Sequence, residues 1–241
     1  MAEPVLSAPA GGDPRPWAIV QHVGHEGPGL IGEVLAAAGY ASEVIRMDLG
    51  ADLPDVALIG GLVVLGGPMS VHDADELPWL ADERRLLATA TRAGLPVLGV
   101  CLGAQQLAAA LGADVTTGDD EEIGMGAVTL TASGRRDRVL GPEYGGLTDT
   151  TIPCVHWHRD TFALPAEAEH LAATRVFPHQ AFRVGARAYG FQFHVEVNAA
   201  LAEQWRPHLP TGTVLGASGL SQVETTGRRI LRRFVDLAAA R

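Results

Sequence analysis

The sequence has few cysteines, no long apolar run and a deficit of positive charge. Only two cysteines occur, Cys101 and Cys154, and no basic segment followed by an apolar run opens the chain, so we expect a reducing, cytoplasmic location. No apolar run approaches the ~20 residues needed to cross a bilayer. The formal net charge of -10 opposes binding to nucleic acid or anionic membranes. We therefore expect a soluble protein with neither kind of partner.

Length and composition predict one α/β domain, because 241 residues with 47% hydrophobic content can bury a full core. Residues 1–15 are rich in proline and glycine and are expected to form a disordered leader. Residues 16–208 are expected to form the domain. Residues 209–241 are expected to comprise a Gly/Ser/Thr-rich connection over 210–226 and a final helix that packs on the domain. The solvated face of that helix should carry four arginines, namely Arg228, Arg229, Arg232 and Arg233.

Strand and helix periodicities alternate along the first half of the chain. The predicted strands are residues 17–23, 41–47, 62–65 and 96–100, and the predicted helices are 30–38, 78–93 and 102–111. The β-like runs that follow are 126–130, 153–157, 171–174, 180–184 and 188–193. This order predicts a doubly wound, mostly parallel open α/β sheet of the flavodoxin-like type with a small antiparallel extension.

Cys101 lies where a buried strand gives way to a helix. Gly99 and Gly103 bracket it two residues on either side, the small-x-nucleophile-x-small spacing of an elbow that holds a nucleophile in a strained, exposed turn. The N-terminus of a helix favours thiolate over thiol. A buried structural cysteine in a glycine-rich turn is the alternative, so the elbow alone leaves a catalytic role open.

A nucleophilic cysteine needs a base and a group that orients the base. The segment G-F-Q-F-H-V-E (residues 190–196) offers both, because His194 and Glu196 project to the same side if this segment is an extended strand. An ordinary salt-bridged histidine is the alternative. A third feature, Gly66-Gly67-Pro68, follows another predicted strand, where its backbone N–H groups could approach a substrate.

Taken together, these motifs resemble the class I, or triad, glutamine amidotransferase family. The resemblance rests on Gly66-Gly67-Pro68, on G-V-C-L-G-A-Q (residues 99–105) and on residues 190–196, and it spans about residues 17–205. It implies that Cys101 attacks the γ-carboxamide of glutamine, that His194 transfers protons and that Glu196 holds His194.

The resemblance also implies residues for the oxyanion and the substrate. The backbone N–H groups of Gly67 and Leu102 would form the oxyanion hole, and Gln105 would contact the amino-acid end of the substrate. E-E-I-G (residues 121–124) is similar to the family's E-I-G segment near the pocket. V-H-W-H-R-D (residues 155–160) is similar to its S-H-G-D segment. The substrate-binding residues implied by this last segment are Trp157, His158, Arg159 and Asp160.

A metal site is a further alternative, because His156 and His158 could lie on one strand face. The sequence presents no compact third ligand beside them, so we expect no metal, and the resemblance implies no cofactor.

Several reactions remain open at this stage. The substrate is expected to be glutamine or another γ-glutamyl compound, and the acceptor to be water, an amine, a hydroxylamine-like nucleophile or ammonia passed to a separate synthetase subunit. Residues 206–241 are too few to form a synthetase. A γ-glutamyl peptidase, a catalytically silent glutamine-binding or partner-binding module, and a cysteine hydrolase of the flavodoxin-like peptidase and chaperone type are the alternatives.

Overall fold

The computed structural model describes residues 13–142 and 150–238. Residues 1–12 of the predicted leader lie outside the described residues. At its end, Asp13 and Arg15 form an ion pair at 2.5 Å, and Arg15 also donates a hydrogen bond to the carbonyl of Ala57. Among the described residues, none of the helices combines the length and the apolar character that crossing a membrane requires.

Nine strands form one sheet in the described part of the chain, and five α-helices accompany it. The strands are β1 (Trp17–Gln21), β2 (Ser42–Arg46), β3 (Gly61–Val64), β4 (Val97–Val100), β5 (Val115–Leu130), β6 (Thr151–Phe162), β7 (Glu169–Ala173), β8 (Ala181–Val184) and β9 (Ala188–Phe191). The helices are α1 (Leu30–Ala37), α2 (Trp79–Arg92), α3 (Leu102–Ala110), α4 (Ala199–Trp205) and α5 (Ala217–Asp236).

The sheet has a parallel half and an antiparallel half. Its strand order is β2-β1-β3-β4-β9-β8-β7-β5-β6, and the first five of these strands run parallel. The four remaining strands, β8, β7, β5 and β6, pair antiparallel and form the extension. The predicted doubly wound α/β fold is confirmed, with an extension of four strands.

Helices cover both faces of the parallel half, which explains why its strands are continuous apolar runs. On β3, the side chain of Val63 joins the core cluster that contains α1 and α5. Its neighbours Leu62 and Val64 join the opposite cluster, which contains α2 and α3. Because side chains alternate along a strand, every residue of β3 is buried.

The C-terminal helix begins earlier than predicted. The expected connection over residues 210–226 is wrong from Ala217 onward, where α5 starts. Glycine, serine and threonine have low helix propensity, but Leu220 and Val223 are buried at helical spacing, and tertiary packing outweighs propensity. Gly227 lets α5 approach the main chain closely, because a Cβ there would collide with the carbonyl oxygen of Val195.

The arginines of α5 do not form one uniform solvated face. Arg228 and Arg232 are exposed as predicted, and they form ion pairs with Glu33 and Asp236, respectively. Arg229 and Arg233 are instead half-buried. Neighbouring acidic groups therefore already pair with the two exposed members of this basic cluster.

Candidate active site

Cys101 occupies a tight turn between β4 and α3, as the elbow pattern predicts. Among the described residues it is the one non-glycine residue with positive φ, at 53°, a conformation that stores about 1–3 kcal/mol of strain. The two flanking positions, Gly99 and Gly103, have to be glycine for steric reasons. A Cβ on Gly99 would collide with the carbonyl oxygen of Gly103, and one on Gly103 would collide with that of Val64. The elbow therefore depends on having no side chain at either position.

His194 and Glu196 lie beyond the end of β9, so the prediction that they belong to a strand is wrong. The strand ends at Phe191, and His194 is held instead by an isolated antiparallel bridge in which its N–H and carbonyl bond to Val155 of β6. The two side chains nevertheless meet: Nδ1 of His194 lies 2.6 Å from Oε1 of Glu196, and both residues are buried. The bridge to β6 holds the backbone of His194 in place.

The surroundings of His194 favour its protonated form. Burial alone would lower the pKa of His194, but the charge of Glu196 and hydrogen bonding with the sulfur of Cys101 outweigh it and raise the pKa well above its ordinary value. The thiol of Cys101 also donates to the carbonyl oxygen of Trp157, at 3.6 Å. The pair of His194 and Glu196 therefore lies near the thiol of Cys101, and the thiol itself bonds to β6.

The glycine loop after β3 lies beside Cys101 and His194. A Cβ on Gly66 would stand 3.1 Å from Cε1 of His194 and 3.5 Å from Cβ of Cys101. A Cβ on Gly67 would stand 3.1 Å from Cδ2 of Leu102. Leu102 is the first residue of α3, so its N–H lacks an intrahelical acceptor. Both N–H groups expected to form the oxyanion hole therefore belong to backbone beside Cys101.

A buried histidine that sequence reasoning missed holds this loop. Nδ1 of His22 lies 2.8 Å from the carbonyl oxygen of Gly66, and Nε2 lies 2.8 Å from Oε2 of Glu83. Both side chains of the ion pair are fully buried, and the imidazole stacks on Trp79 at 5.5 Å. Burial lowers the pKa of His22, but Glu83 and the Gly66 carbonyl outweigh it, so the pKa is raised.

A cavity of about 710 Å³ opens beside Cys101. Its walls include Gly67 and all five residues expected to bind substrate, namely Gln105, Trp157, His158, Arg159 and Asp160. They also include three residues not expected from the sequence, His25, Glu26 and His208. The position of Glu26 in the loop after β1 was the available signal, since ligands of parallel sheets bind beyond the carboxyl ends of the strands.

The polar groups that line the cavity are largely hydrogen-bonded to other groups of the protein. Nε2 of Gln105 donates to the carbonyl oxygen of Asp160 at 3.2 Å, so this glutamine is buried rather than directed to solvent. The carboxylate of Asp160 accepts hydrogen bonds from Ser70 and Thr117. Arg159 donates from Nε to the carbonyl oxygen of Gly118. These bonds fix the part of the wall that β6 contributes and join it to Ser70, which follows the glycine loop.

Glu26 adds a second buried carboxyl group near the sulfur. A Cβ on Gly66 would lie 2.5 Å from Oε2 of Glu26. The carboxyl group of Glu26 therefore lies beside the glycine loop and His194. Burial raises the pKa of Glu26, while the charges of His194 and His22 act against that rise. His25, next to it, stacks on His208 with ring centroids 3.7 Å apart at the mouth of the cavity.

The expectation that His156 and His158 have no third ligand nearby is wrong. Glu122 of β5 lies across from them, with Oε2 3.6 Å from Nδ1 of His156 and 3.3 Å from Nε2 of His158. Burial is the main reason that the pKa of His156 falls to about 4. The missing signal was the pairing of β5 with β6, which sets Glu122 directly opposite His158.

Comparison with known proteins agrees with this architecture. Residues 30–204 match the model of the class-I glutamine amidotransferase family. The chain is 31% identical over 224 residues to the glutamine amidotransferase-like protein YfeJ of Salmonella typhimurium, covering 91% of this chain and 88% of YfeJ. It is 33% identical over 147 residues to a GMP synthase of Porphyromonas gingivalis, covering 59% of this chain but only 26% of the synthase.

Solved structures show the same relationship. The crystal structure of a glutamine amido transferase from Methylobacillus flagellatus superposes with a TM-score of 0.81 and 27% identity, covering 92% of this chain and 94% of that one. On the family match and on the similarity to YfeJ along most of both chains, this protein belongs to the class-I glutamine amidotransferase family.

Proposed function

We propose that the protein cleaves the γ-carboxamide of glutamine, or of a related γ-glutamyl compound, through a γ-glutamyl-thioester on Cys101. The observation that carries this proposal is the grouping of three side chains. A Cβ on Gly66 would lie within 3.5 Å of both Cys101 and His194, and Nδ1 of His194 lies 2.6 Å from Oε1 of Glu196. A nucleophile, a base and a group that orients the base are what acyl transfer through a cysteine requires.

The reaction has two balanced halves. His194 takes the proton of the Cys101 thiol, and the sulfur attacks the amide carbon, so that a C–S bond forms while the carbonyl electron pair moves to oxygen. That pair then re-forms the carbonyl as the C–N bond breaks and His194 gives its proton to the nitrogen, which leaves as ammonia. In the second half His194 takes a proton from water, whose oxygen attacks the thioester carbon. The C–S bond breaks, glutamate leaves, and the proton returns from His194 to the sulfur.

The backbone beside Cys101 supports the charge that develops on the carbonyl oxygen. We assign this role to the N–H groups of Gly67 and Leu102, each such contact being worth about 3–4 kcal/mol in the transition state. Gln105, Trp157, His158, Arg159 and Asp160 are the proposed substrate-binding residues, since all five line the cavity at Cys101.

We further propose that a separate synthetase subunit is one acceptor of the ammonia. The similarity to GMP synthase, of which this chain spans 26%, supports this proposal, because the matched part is a fraction of a larger enzyme. Water is the acceptor when no partner is present.

A glutamine-mimicking alkylator tests the nucleophile, and intact mass measures the product. We expect one adduct on the wild-type protein and none on Cys101→Ala. Cys154→Ala is the matched control, because this second cysteine is buried and desolvation raises its pKa well above the ordinary value. The control variant should still form the adduct. An adduct that survives Cys101→Ala, or that disappears only in Cys154→Ala, contradicts the assignment.

Turnover is measured by mass spectrometry with glutamine and with γ-glutamyl peptides, each with water, hydroxylamine and amines as acceptors. We expect release of glutamate and ammonia from glutamine, and a loss of at least ~10³-fold in Cys101→Ala and in His194→Ala. A preference for γ-glutamyl peptides identifies a peptidase. Glutamine binding without any product, for every acceptor, identifies a silent binding module and overturns the proposal.

A further inference from the structure

A second cluster of chemically capable side chains lies between β5 and β6. Within the described residues, Glu122, His156 and His158 offer ligand atoms that all lie within 4.8 Å of one another. Oε2 of Glu122 is 3.3 Å from Nε2 of His158 and 3.6 Å from Nδ1 of His156. Tetrahedral Zn²⁺, with bonds of about 2.0–2.1 Å, separates its ligand atoms by about 3.3–3.4 Å. The two distances from Glu122 are therefore close to those of a tetrahedral transition-metal site.

The second nitrogen of each imidazole is already engaged. Nδ1 of His158 lies 3.1 Å from the carbonyl oxygen of Asp160, which can only accept, so Nδ1 carries a proton, and Nε2 faces Oε2 of Glu122 at 3.3 Å and Nε2 of Gln180 at 3.4 Å. Nε2 of His156 lies 3.3 Å from the sulfur of Cys154. Metal-binding histidines characteristically have their other ring nitrogen engaged in a hydrogen bond, which fixes the ring orientation.

An unpartnered nitrogen completes the set. Nδ1 of His156 is buried and has no hydrogen-bond partner among the described residues, although it points towards Glu122. A buried nitrogen without a partner is unfavourable by about 1–3 kcal/mol. Gly126 makes room for this ring, because a Cβ there would lie 2.6 Å from Cδ2 of His156. The strand thus accommodates an imidazole whose free nitrogen faces a carboxylate.

We propose that Glu122, His156 and His158 bind a divalent transition-metal ion of the Zn²⁺ class. Two imidazoles and one carboxylate form a recurrent protein ligand set for Zn²⁺, and hard ions such as Mg²⁺ and Ca²⁺ prefer oxygen ligands instead. Gln180, which immediately precedes β8, donates from Nε2 to Oε2 of Glu122 at 2.7 Å and orients the carboxylate.

The site lies next to the catalytic sulfur but does not include it. His156 and His158 flank Trp157, whose carbonyl oxygen accepts from the thiol of Cys101 at 3.6 Å. A bound ion would restrain this stretch of β6 on both sides of that carbonyl. Metal binding requires no turnover, so its test is independent of the proposed reaction.

The experiment titrates Zn²⁺, and Co²⁺ as a visible probe, into the chelator-treated full chain carrying Cys101→Ala, which removes the reactive thiol as a competing ligand. We expect one equivalent to bind by calorimetry, with Co²⁺ giving the visible absorption of a four-coordinate site. Adding Glu122→Gln or His156→Asn should weaken binding at least ~100-fold, since a direct ligand contributes more than the 10–100-fold of an outer-shell group.

His208→Ala is the matched control, because His25 and His208 form another close histidine pair, with no carboxylate ligand set around it in the described residues. It should bind Zn²⁺ as the parent does. Absence of stoichiometric binding to the parent overturns the proposal, as does binding that Glu122→Gln leaves unchanged or that His208→Ala abolishes. If His156→Asn fails to fold by circular dichroism, Glu122→Gln decides the outcome, because the amide has almost the shape of the carboxylate.

Discussion

Replacing His22 with alanine tests whether a buried ion pair holds the glycine loop at the active site. The imidazole bridges the carbonyl oxygen of Gly66 and the carboxylate of Glu83, with both distances at 2.8 Å and both side chains of the pair fully buried. Each ring nitrogen faces an oxygen acceptor, so the ring carries two protons when it makes both bonds. His22→Ala removes these bonds together and leaves Glu83 buried without a cation.

The expected loss of stability is large. Breaking a buried pair by removing one partner lowers the free energy of unfolding by about 3–5 kcal/mol. For a chain of about this length each kcal/mol lowers Tm by roughly 2–4 °C, so Tm should fall by about 6–20 °C. Arg228→Ala is the control, because the pair of Arg228 with Glu33 is about half-exposed and contributes at most about 1 kcal/mol.

The proposed glutaminase activity should fall as well, in kcat more than in KM. The carbonyl of Gly66 and the N–H of Gly67 belong to one planar peptide group, so the bond from His22 also fixes the direction of that N–H. Losing one oxyanion donor lowers kcat by about 10²–10³-fold, which is the upper limit for a residue acting through the peptide. Urea denaturation and steady-state glutaminase kinetics measure the two effects. A variant within 1 kcal/mol of the wild type, with an unchanged kcat, would refute this reasoning.

Three further perturbations have defined outcomes. Gly103→Ala should lower the free energy of unfolding by about 1–3 kcal/mol, because its Cβ collides with backbone at Val64, while Gly216→Ala, with open space around it, should be near neutral in the same denaturation assay. Asn198→Ala removes the side-chain cap that accepts from the N–H of Leu201 at 2.8 Å, so thermal unfolding should report a loss of about 1 kcal/mol; an unchanged Tm would contradict the cap. Since the folded pKa of His22 is raised above 6.5, the stability it contributes is complete below that pH and is lost as pH rises through the folded value. Wild-type protein should therefore lose stability relative to His22→Ala as urea denaturations move from about pH 6 to about pH 9.

Local patterns were enough to predict the turn that carries the proposed nucleophile. The change from an apolar run to helical spacing placed Cys101 at a strand-to-helix turn, and the structure has it there with φ at 53°. Strands and helices within residues 17–111 were predicted to within two residues at each end. These elements are determined locally, because burial on both faces makes continuous apolar strands and amphipathic packing makes helices with a 3.6-residue period.

Features that depend on distant contacts were predicted less well. The stretch with His194 was taken for a strand because it alternates, yet its conformation is set by a bridge to Val155, about forty residues earlier. Helix α5 was expected to begin after residue 226, but burial of Leu220 and Val223 extends it back to Ala217. In each case a tertiary contact outweighed the local preference that the prediction used.

The sequence by itself determined the alternation of strands and helices, the strained turn at Cys101 and the presence of a histidine and an acid two residues apart. The tertiary structure decided which groups face one another: His22 with Gly66 and Glu83, and Glu122 with the two histidines of β6. The physical reason is that periodicity and turn chemistry act over a few residues, whereas strand register and burial join residues tens of positions apart. Whether a buried nitrogen such as Nδ1 of His156 has a hydrogen-bond partner is decided only when β5 and β6 are paired.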